Sequence, residues 1–353
     1  MPDELHPRHI AKRLVEIAVI VALVAIAVSA LPGLDQVRDR LAGASASWLA
    51  LLALAELLSC AGYLLAFRAT FCPQMAWGLS YDIAMAELAA NSLLPTGGAG
   101  GLALGIWALR QAGMSTAHIA RRTVAFFLVT SAPNFAGVVL VGLGMFAGIL
   151  PGRASAVLTL GPAAIAGAVV LVTALSPRLL RASGEPAAGP DRPRPSGRIR
   201  HRLRLALQAT ADGVDLAKAL LGSRSFGVIV GSFAYMAFDI AALAFGFAAV
   251  GAVPAFGTLG LAYLIGQLGN LIPLPGGIGG TEGGLVGAFA LYHVNVSDAA
   301  AAVLIYRLFQ LAIPALLGAP AFVLLRRKLA RGQQHAHVCV QLSSEPIDAP
   351  ARG

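Results

Sequence analysis

The chain of 353 residues is 57% hydrophobic and 12% charged, whereas soluble domains average about 25% charged residues. So few charges cannot cover the surface of a water-soluble enzyme, and so apolar a composition excludes intrinsic disorder. The net charge is +9, and the three cysteines match no metal-binding or redox spacing. These properties predict an all-α polytopic membrane protein, because helices satisfy their own backbone hydrogen bonds in lipid.

Apolar runs of about 20 residues identify the helices that cross a bilayer. The first run follows a basic stretch and is interpreted as an uncleaved anchor, the alternative being a signal peptide. In chain order, we predict six full crossings at residues 14–31, 48–67, 123–149, 157–176, 226–250 and 299–325.

Two further apolar regions, residues 82–110 and 257–292, are interrupted near their middle by proline and glycine. The first interruption reads Pro-Thr-Gly-Gly-Ala-Gly-Gly from Pro95, and the second reads Pro-Leu-Pro-Gly-Gly-Ile-Gly-Gly from Pro273. Proline and glycine break helices, and the freed backbone groups then need protein partners or water. Each region is therefore predicted to form two half-helices in a hairpin that is either re-entrant or fully crossing.

Positive residues orient the chain, because Lys and Arg concentrate in cytoplasmic loops. With both termini cytoplasmic, every Lys and Arg lies inside except Arg38, Arg40 and Arg153, which lie outside, and Arg307, which lies within a span. The reverse orientation would invert this distribution. We therefore predict a multi-pass membrane protein with cytoplasmic N- and C-termini.

The transmembrane spans group into one predicted domain, residues 1–329, followed by a predicted disordered cytoplasmic tail at 330–353. A cytoplasmic linker occupies residues 177–224, and its first part, residues 177–197, is rich in proline, glycine and arginine and is predicted to be flexible. The basic stretch that follows is either an amphipathic helix on the membrane surface or a solvated connector.

The two broken regions match each other at one constant offset, within halves at about 48–149 and 226–325. The charge distribution puts both ends of the first hairpin inside and both ends of the second outside, so the halves have inverted topology. Inverted repeats with discontinuous helices are typical of transporters whose site lies near the bilayer midplane, where half-helix N-termini offer N–H groups to phosphate or carboxylate. The matched residues include Asn91 and Asn270, Gly97 and Gly276, and Gly98 and Gly277.

Charged side chains within the spans need a partner or a function, because inserting each one costs about 2.5–3.5 kcal/mol. Arg307 could pair with Glu282 as a structural contact, or it could bind an anionic headgroup through its planar guanidinium. Glu282 would then orient Arg307, receive a substrate amine or carry a coupling proton. Glu56, Glu87 and Asp239 are interpreted as proton relays or as helix-packing partners.

The candidate substrate-binding residues share a position at the broken hairpins or in the last crossing: Asn91, Gly97, Gly98, Asn270, Gly276, Gly277, Glu282 and Arg307. The asparagines alternatively cap half-helices, and the glycines alternatively permit close helix packing. The sequence has no nucleophile elbow, zinc-type histidine pair or nucleotide loop, so we expect neither an enzyme nor a bound cofactor or metal. Nucleic acid is not expected as a partner, because the positive charge lies beside apolar stretches and no reader motif accompanies it.

The sequence around the two glycine clusters and Arg307 resembles the lysylphosphatidylglycerol synthase transmembrane-region family, also called the flippase-like domain family. The likeness covers residues 14–329 and rests on residues 91–98, on residues 270–282, and on Tyr306-Arg307 with Pro314 and Gly318. It implies an integral protein of the cell inner membrane that is associated with moving lipids between leaflets. In two-domain relatives the lipid is aminoacylated phosphatidylglycerol, and stand-alone members are linked to other lipids, including isoprenoid-type ones. We expect a stand-alone member without the aminoacyltransferase domain. First-half members often carry an arginine soon after the Gly-Gly pair, whereas the segment after Gly98 here contains none before Arg110.

We therefore expect a flippase-like transporter of an anionic or aminoacylated lipid headgroup, with anionic phospholipid or isoprenoid-type lipid as its partner. Two alternatives stay open. One is a non-transporting scaffold that docks a separate lipid-modifying enzyme through the basic linker. The other is a small-solute secondary transporter, which would share the inverted repeat.

Overall fold

A computed structural model describes residues 35–93, 99–152, 154–182, 195–223, 225–268 and 279–330. Over these residues the chain is helical throughout its regular elements. The helices are α1 (Asp35–Ala42), α2 (Ala46–Phe71), α3 (Trp77–Leu93), α4 (Ala99–Gln111), α5 (Thr116–Phe146), α6 (Ala156–Ala182), α7 (Pro195–Gly222), α8 (Phe226–Ala249), α9 (Phe256–Gly266), α10 (Gly280–Leu291) and α11 (Val296–Ala330).

Five helices in the described part of the chain are long and apolar enough to cross a membrane, namely α2, α5, α6, α8 and α11. Each covers most of one predicted crossing, so five of the six are confirmed as apolar helices, while the crossing at 14–31 lies outside the described residues. Helix α6 continues through Pro177 to Ala182, so the first residues of the predicted flexible linker are helical.

Each interrupted region contains two helices, one before and one after the residues rich in proline and glycine, as predicted. The first pair is α3 and α4, and the second is α9 and α10, which have 11 and 12 residues. A crossing helix needs about 20 residues, so neither α9 nor α10 can span the hydrocarbon core alone. The glycine clusters themselves, with Gly97, Gly98, Asn270, Gly276 and Gly277, lie outside the described residues.

Helices α2 and α8 form the most extensive contact of the bundle and run antiparallel. Glycine permits this contact, because a Cβ added to Gly62 would lie 2.5 Å from the Tyr235 nitrogen, and one added to Gly231 would lie 2.5 Å from the Ala66 nitrogen. The Ser59 hydroxyl donates a hydrogen bond of 2.9 Å to the Tyr235 carbonyl oxygen. Small residues and interhelical hydrogen bonds associate helices in lipid, where burial of apolar surface provides no driving force between them.

The hairpin helices pack against the long helices of the other part of the chain. Helix α3 packs on α11, where a Cβ on Gly318 would lie 2.1 Å from the Met85 carbonyl oxygen. Helix α9 packs on α5, where a Cβ on Gly137 would lie 3.1 Å from Leu264 Cδ1. These close contacts at glycine hold the two hairpins inside the bundle.

Side-chain contacts distinguish the two ends of the bundle. At one end, here called the basic end and defined by Arg68, Arg122 and Lys328, Arg68 stacks over Trp77 with its Cζ atom 4.2 Å from the ring centroid. Arg122 donates to the Thr70 carbonyl oxygen, and Lys328 pairs with Asp82. At the opposite end, Arg40 Nε lies 2.9 Å from Asp298 Oδ1. Helix α3 begins at the basic end, and α5, which follows α4, also begins there.

The second hairpin has its ends at the other side of the bundle. Near the start of α9, the Gly257 N–H donates to the Pro151 carbonyl oxygen at 3.0 Å, and Pro151 lies between α5 and α6. Directly after α10, the Tyr292 hydroxyl donates to the Leu158 carbonyl oxygen at 2.8 Å. Both ends of this hairpin therefore lie at the end of the bundle opposite the basic one.

The basic stretch of the predicted linker forms α7, a helix of 28 residues that is packed against α5 and α6. Gly213 allows this contact, because a Cβ there would lie 2.5 Å from Val124 Cβ. Lys218 donates to the Ala174 carbonyl oxygen of α6 at 2.5 Å. One face of α7 is thus covered by the bundle, which favours the helical reading over the solvated connector.

Candidate functional site

A buried polar network surrounds Asp239, which lies in the middle of α8. Its Oδ1 accepts hydrogen bonds from the Tyr306 hydroxyl at 2.8 Å and from Gln310 Nε2 at 3.2 Å. Its Oδ2 accepts from the Tyr263 hydroxyl and from Gln310 Nε2, the latter at 3.2 Å. The donors come from α9 and α11, so this carboxylate joins three helices. Hydrogen bonds to a buried carboxylate stabilise its charge and are stronger than neutral ones.

Arg307 and Glu282 form an ion pair next to this network. Arg307 Nε donates to Glu282 Oε1 at 2.8 Å, and Arg307 Nη1 donates to Gln310 Oε1. Glu282 Oε2 accepts from the Gly279 N–H at 2.6 Å, so the same carboxylate caps the first turn of α10. Gly279 has a φ of 89°, which favours glycine at this position. The chain leaves the second break in this conformation, which brings Glu282 to Arg307.

Glu56 is buried in the middle of α2, with 4% of its surface exposed. Asp239 of α8 and Arg307 of α11 are the charged groups that act on it. Among the described residues, its Oε2 atom has no hydrogen-bond partner. The structure therefore brings Glu56, Asp239, Glu282 and Arg307 into one cluster, although they come from four different helices.

Glu87 lies in a separate place, in the middle of α3. It faces α4, because a Cβ added to Gly105 would lie 3.0 Å from Glu87 Oε2. A small cavity lies at this point, lined by Glu87, Gly105, Phe71 and Thr123 among others. Tyr63 of α2 interacts electrostatically with the Glu87 carboxylate.

Asn91 closes the first hairpin. Its Oδ1 accepts a hydrogen bond of 3.0 Å from the Gly101 N–H, in the first turn of α4. A Cβ on Gly101 would lie 2.2 Å from that same oxygen, so glycine is required for this approach. Asn91 thus caps a half-helix, which is the alternative to substrate contact that the sequence left open.

The tyrosines of the network are functional candidates that the sequence analysis missed. Tyr306 and Tyr263 are fully or almost fully buried, and both donate to Asp239. A local signal existed, because Tyr306 directly precedes the intramembrane Arg307, and a buried phenol needs an acceptor. Nothing in the sequence pairs Tyr263 with a carboxylate on another helix.

The fold and this network define a class of protein: a polytopic α-helical membrane protein with a cluster of charged residues inside its helical bundle. Among the described residues, no group of three His, Cys, Asp or Glu side chains could hold a metal ion. The arginine of this network carries N–H groups that can donate hydrogen bonds to an anion.

The chain belongs to the lysylphosphatidylglycerol synthase TM region family, whose model matches residues 13–318. This confirms the resemblance found in the sequence and makes the chain a membrane protein of a lipid-handling family. The family describes the flippase-like part of the synthase, not its catalytic domain. A search of curated proteins finds no matching relative.

Proposed function

We propose that this protein is a flippase-like transporter that moves an anionic or aminoacylated lipid headgroup between the leaflets of the cell inner membrane. The observation that carries the proposal is the ion pair of Arg307 with Glu282 inside the bundle, at the point where the second hairpin resumes. Membership of a lipid-handling family supports lipid as the substrate class. The basic end, with Arg68, Arg122 and Lys328, is then cytoplasmic.

The Arg307–Glu282 pair suits exchange with a headgroup phosphate. A guanidinium binds phosphate and carboxylate with the same planar donor geometry, so a phosphate can replace Glu282 as its acceptor. Glu282 keeps a second partner, the Gly279 N–H, when Arg307 turns to the substrate. Placing an arginine within the membrane costs free energy, so its presence needs a functional reason. Binding of a substrate that displaces Glu282 from Arg307 would provide that reason.

An inverted repeat accompanies this function in our proposal, with α2–α5 as the first unit and α8–α11 as the second. The helix contacts support it, because exchanging the two units leaves the contact pattern unchanged: α3 on α11 becomes α9 on α5. Likewise, the contacts of α3 with α4 and of α9 with α10 exchange. The antiparallel packing of α2 against α8, the first helices of the two units, agrees with opposite orientations.

The short helices α9 and α10 favour a re-entrant second hairpin. Eleven or twelve residues extend about 17–18 Å at 1.5 Å per residue, against a hydrocarbon core of about 30 Å. The breaks would then lie within the bilayer, where the glycine clusters at 97–98 and 276–277 with Asn270 would complete the binding site. The N-termini of α4 and α10 would direct N–H groups to the headgroup.

Reconstituted leaflet exchange tests the proposal. Wild-type protein in phosphatidylglycerol-containing vesicles should make inner-leaflet fluorescent phosphatidylglycerol accessible to an external quencher. Arg307→Gln should abolish this exchange, since the remaining side chain cannot bind phosphate as a cation. The matched control is Arg40→Gln, which breaks the Arg40–Asp298 pair at the opposite end and should exchange like wild type.

Size-exclusion profiles and circular dichroism must first show that both variants are folded. Exchange by Arg307→Gln at the wild-type rate would contradict the assignment of the site. Absence of exchange by folded wild-type protein would instead favour the scaffold for a lipid-modifying enzyme.

A further inference from the structure

The polar cluster around Arg307 contains more acidic groups than the contacts can neutralise. Asp239 accepts hydrogen bonds from two tyrosines and from Gln310, and Glu282 is paired with Arg307. Glu56 lies beside this satisfied arrangement with one carboxyl oxygen that has no hydrogen-bond partner among the described residues. If it were ionised, it would place an uncompensated charge next to Asp239, which is strongly unfavourable in a buried site. A proton on the Glu56 carboxyl removes that conflict.

The ionisable groups near Glu56 in the described part of the chain lie on three helices. Tyr235 and Asp239 lie on α8, Arg307 and Tyr306 lie on α11, and Cys60 lies one turn further along α2 itself. In the described part of the chain, α5 and α3 contribute no charged group to its immediate surroundings. Arg307 is the nearby cation, and it is already paired with Glu282.

A chain of phenols connects Glu56 with Glu87. Tyr235 of α8 interacts electrostatically with both Glu56 and Glu87. Its ring meets the ring of Tyr63 edge to face, with the centroids 5.3 Å apart. Tyr63 in turn interacts electrostatically with Glu87. A carboxyl, two phenols and a second carboxyl therefore follow one another through the packed interior.

Of the two carboxyl groups in this series, Glu87 is the one that borders a cavity. The cavity at Glu87 is also lined by Phe71 and Thr123, which lie at the basic end of the bundle. Arg122, next to Thr123, donates to Thr70, next to Phe71. The cavity beside Glu87 therefore extends toward the basic end, whereas Glu56 belongs to the cluster around Arg307.

We propose that Glu56 is a proton-binding site, reached from the cavity at Glu87 by way of Tyr63 and Tyr235, and that its proton is coupled to the anion bound at Arg307. At each step one O–H bond breaks and one forms, and each donor regains a proton from its neighbour, so no other reactant is required. An anion that enters the cluster favours retention of the proton on Glu56, and its departure favours release. The coupling rests on the transport function proposed above, whereas proton binding by Glu56 does not.

Infrared difference spectroscopy of the full-length protein in nanodiscs tests proton binding directly. Between acid and alkaline conditions, wild type should show the C=O bands of protonated carboxyl groups, and Glu56→Gln should remove one component of these bands. Asp298→Asn is the matched control and should retain that component, because Asp298 pairs with Arg40 at the opposite end of the bundle. Survival of every component in Glu56→Gln, or loss of the same component in Asp298→Asn, would overturn the assignment.

The path is tested by the rate at which this band responds to a change from H₂O to D₂O. Tyr63→Phe removes a hydroxyl but keeps the ring, and it should slow the response of the Glu56 band at least severalfold. A response as fast as that of wild type would refute the route through Tyr63. The matched control is Tyr292→Phe, which should respond as fast as wild type. It removes a hydroxyl that donates to the Leu158 carbonyl oxygen at the opposite end.

Coupling is tested in vesicles that contain phosphatidylglycerol and a fluorescent phosphatidylglycerol probe. An imposed pH gradient should change the wild-type exchange rate, and Glu56→Gln should lose the response to the gradient. Exchange by wild type with no response to the gradient would overturn the coupling and leave transport intact. Absence of any exchange by wild type would reject the transport function, while the infrared band still decides whether Glu56 binds a proton.

Discussion

The Arg307–Glu282 ion pair should show strong thermodynamic coupling in a double-mutant cycle. Arg307 Nε lies 2.8 Å from Glu282 Oε1, and the side chains are 7% and 18% exposed. Removing one partner of a buried pair costs about 3–5 kcal/mol, because the other charge is left uncompensated. Since Glu282 is partly exposed, we expect about 3 kcal/mol for Arg307→Gln or Glu282→Gln. The double variant leaves neither charge alone, so it should lose at least about 1.5 kcal/mol less than the sum of the single losses.

The free energy of unfolding is to be measured in mixed micelles by titration with a denaturing detergent, followed by circular dichroism. The Arg40–Asp298 pair is the control, because Arg40 is 48% exposed, and such pairs contribute about 1 kcal/mol or less. Arg40→Gln with Asp298→Asn should therefore show little coupling. If the losses of Arg307→Gln and Glu282→Gln summed to the loss of the double variant within about 0.5 kcal/mol, the two side chains would not be coupled. That result would refute the reasoning.

Two further predictions concern the packing that holds the hairpins and the central helix pair. Asn91→Ala should destabilise the protein by about 0.5–2 kcal/mol in the same unfolding assay, since the Gly101 N–H loses its acceptor, and an unchanged free energy of unfolding would contradict this role. Gly62→Leu should prevent assembly of a monodisperse bundle, because a Cβ there already lies 2.5 Å from the backbone of Tyr235. Gly161→Leu, at a glycine with open space around it, should elute like wild type in size-exclusion chromatography, and the same elution by Gly62→Leu would contradict the packing argument.

The membrane-spanning helices could be predicted from local sequence because a bilayer imposes a local rule. A helix satisfies its own backbone in lipid, so the length of an apolar run is enough to place it. Helices α2 and α8 lie where residues 48–67 and 226–250 indicate, within a few residues at each end. The linker is the exception, because Pro177 does not stop α6.

The candidate site was only partly predictable. The pairing of Arg307 with Glu282 was one of two interpretations from the residues, and the structure contains it. Capping and substrate contact were both predicted for Asn91. The structure shows the capping contact with the Gly101 N–H, and substrate contact stays a prediction. The tyrosines around Asp239 were missed, since tyrosine in an apolar helix gives no sign of its distant acceptor.

The sequence by itself determined the class of protein, the apolar helices and the positions of the two breaks, because hydrophobicity and helix interruption act within one stretch of chain. Only the tertiary structure decided which ionisable groups meet. Glu56 and Asp239 lie far apart in sequence and come together because Gly62 and Gly231 let α2 and α8 approach at the backbone. The charge balance of a buried cluster depends on all of its members at once, and such a sum exists only after the helices have packed.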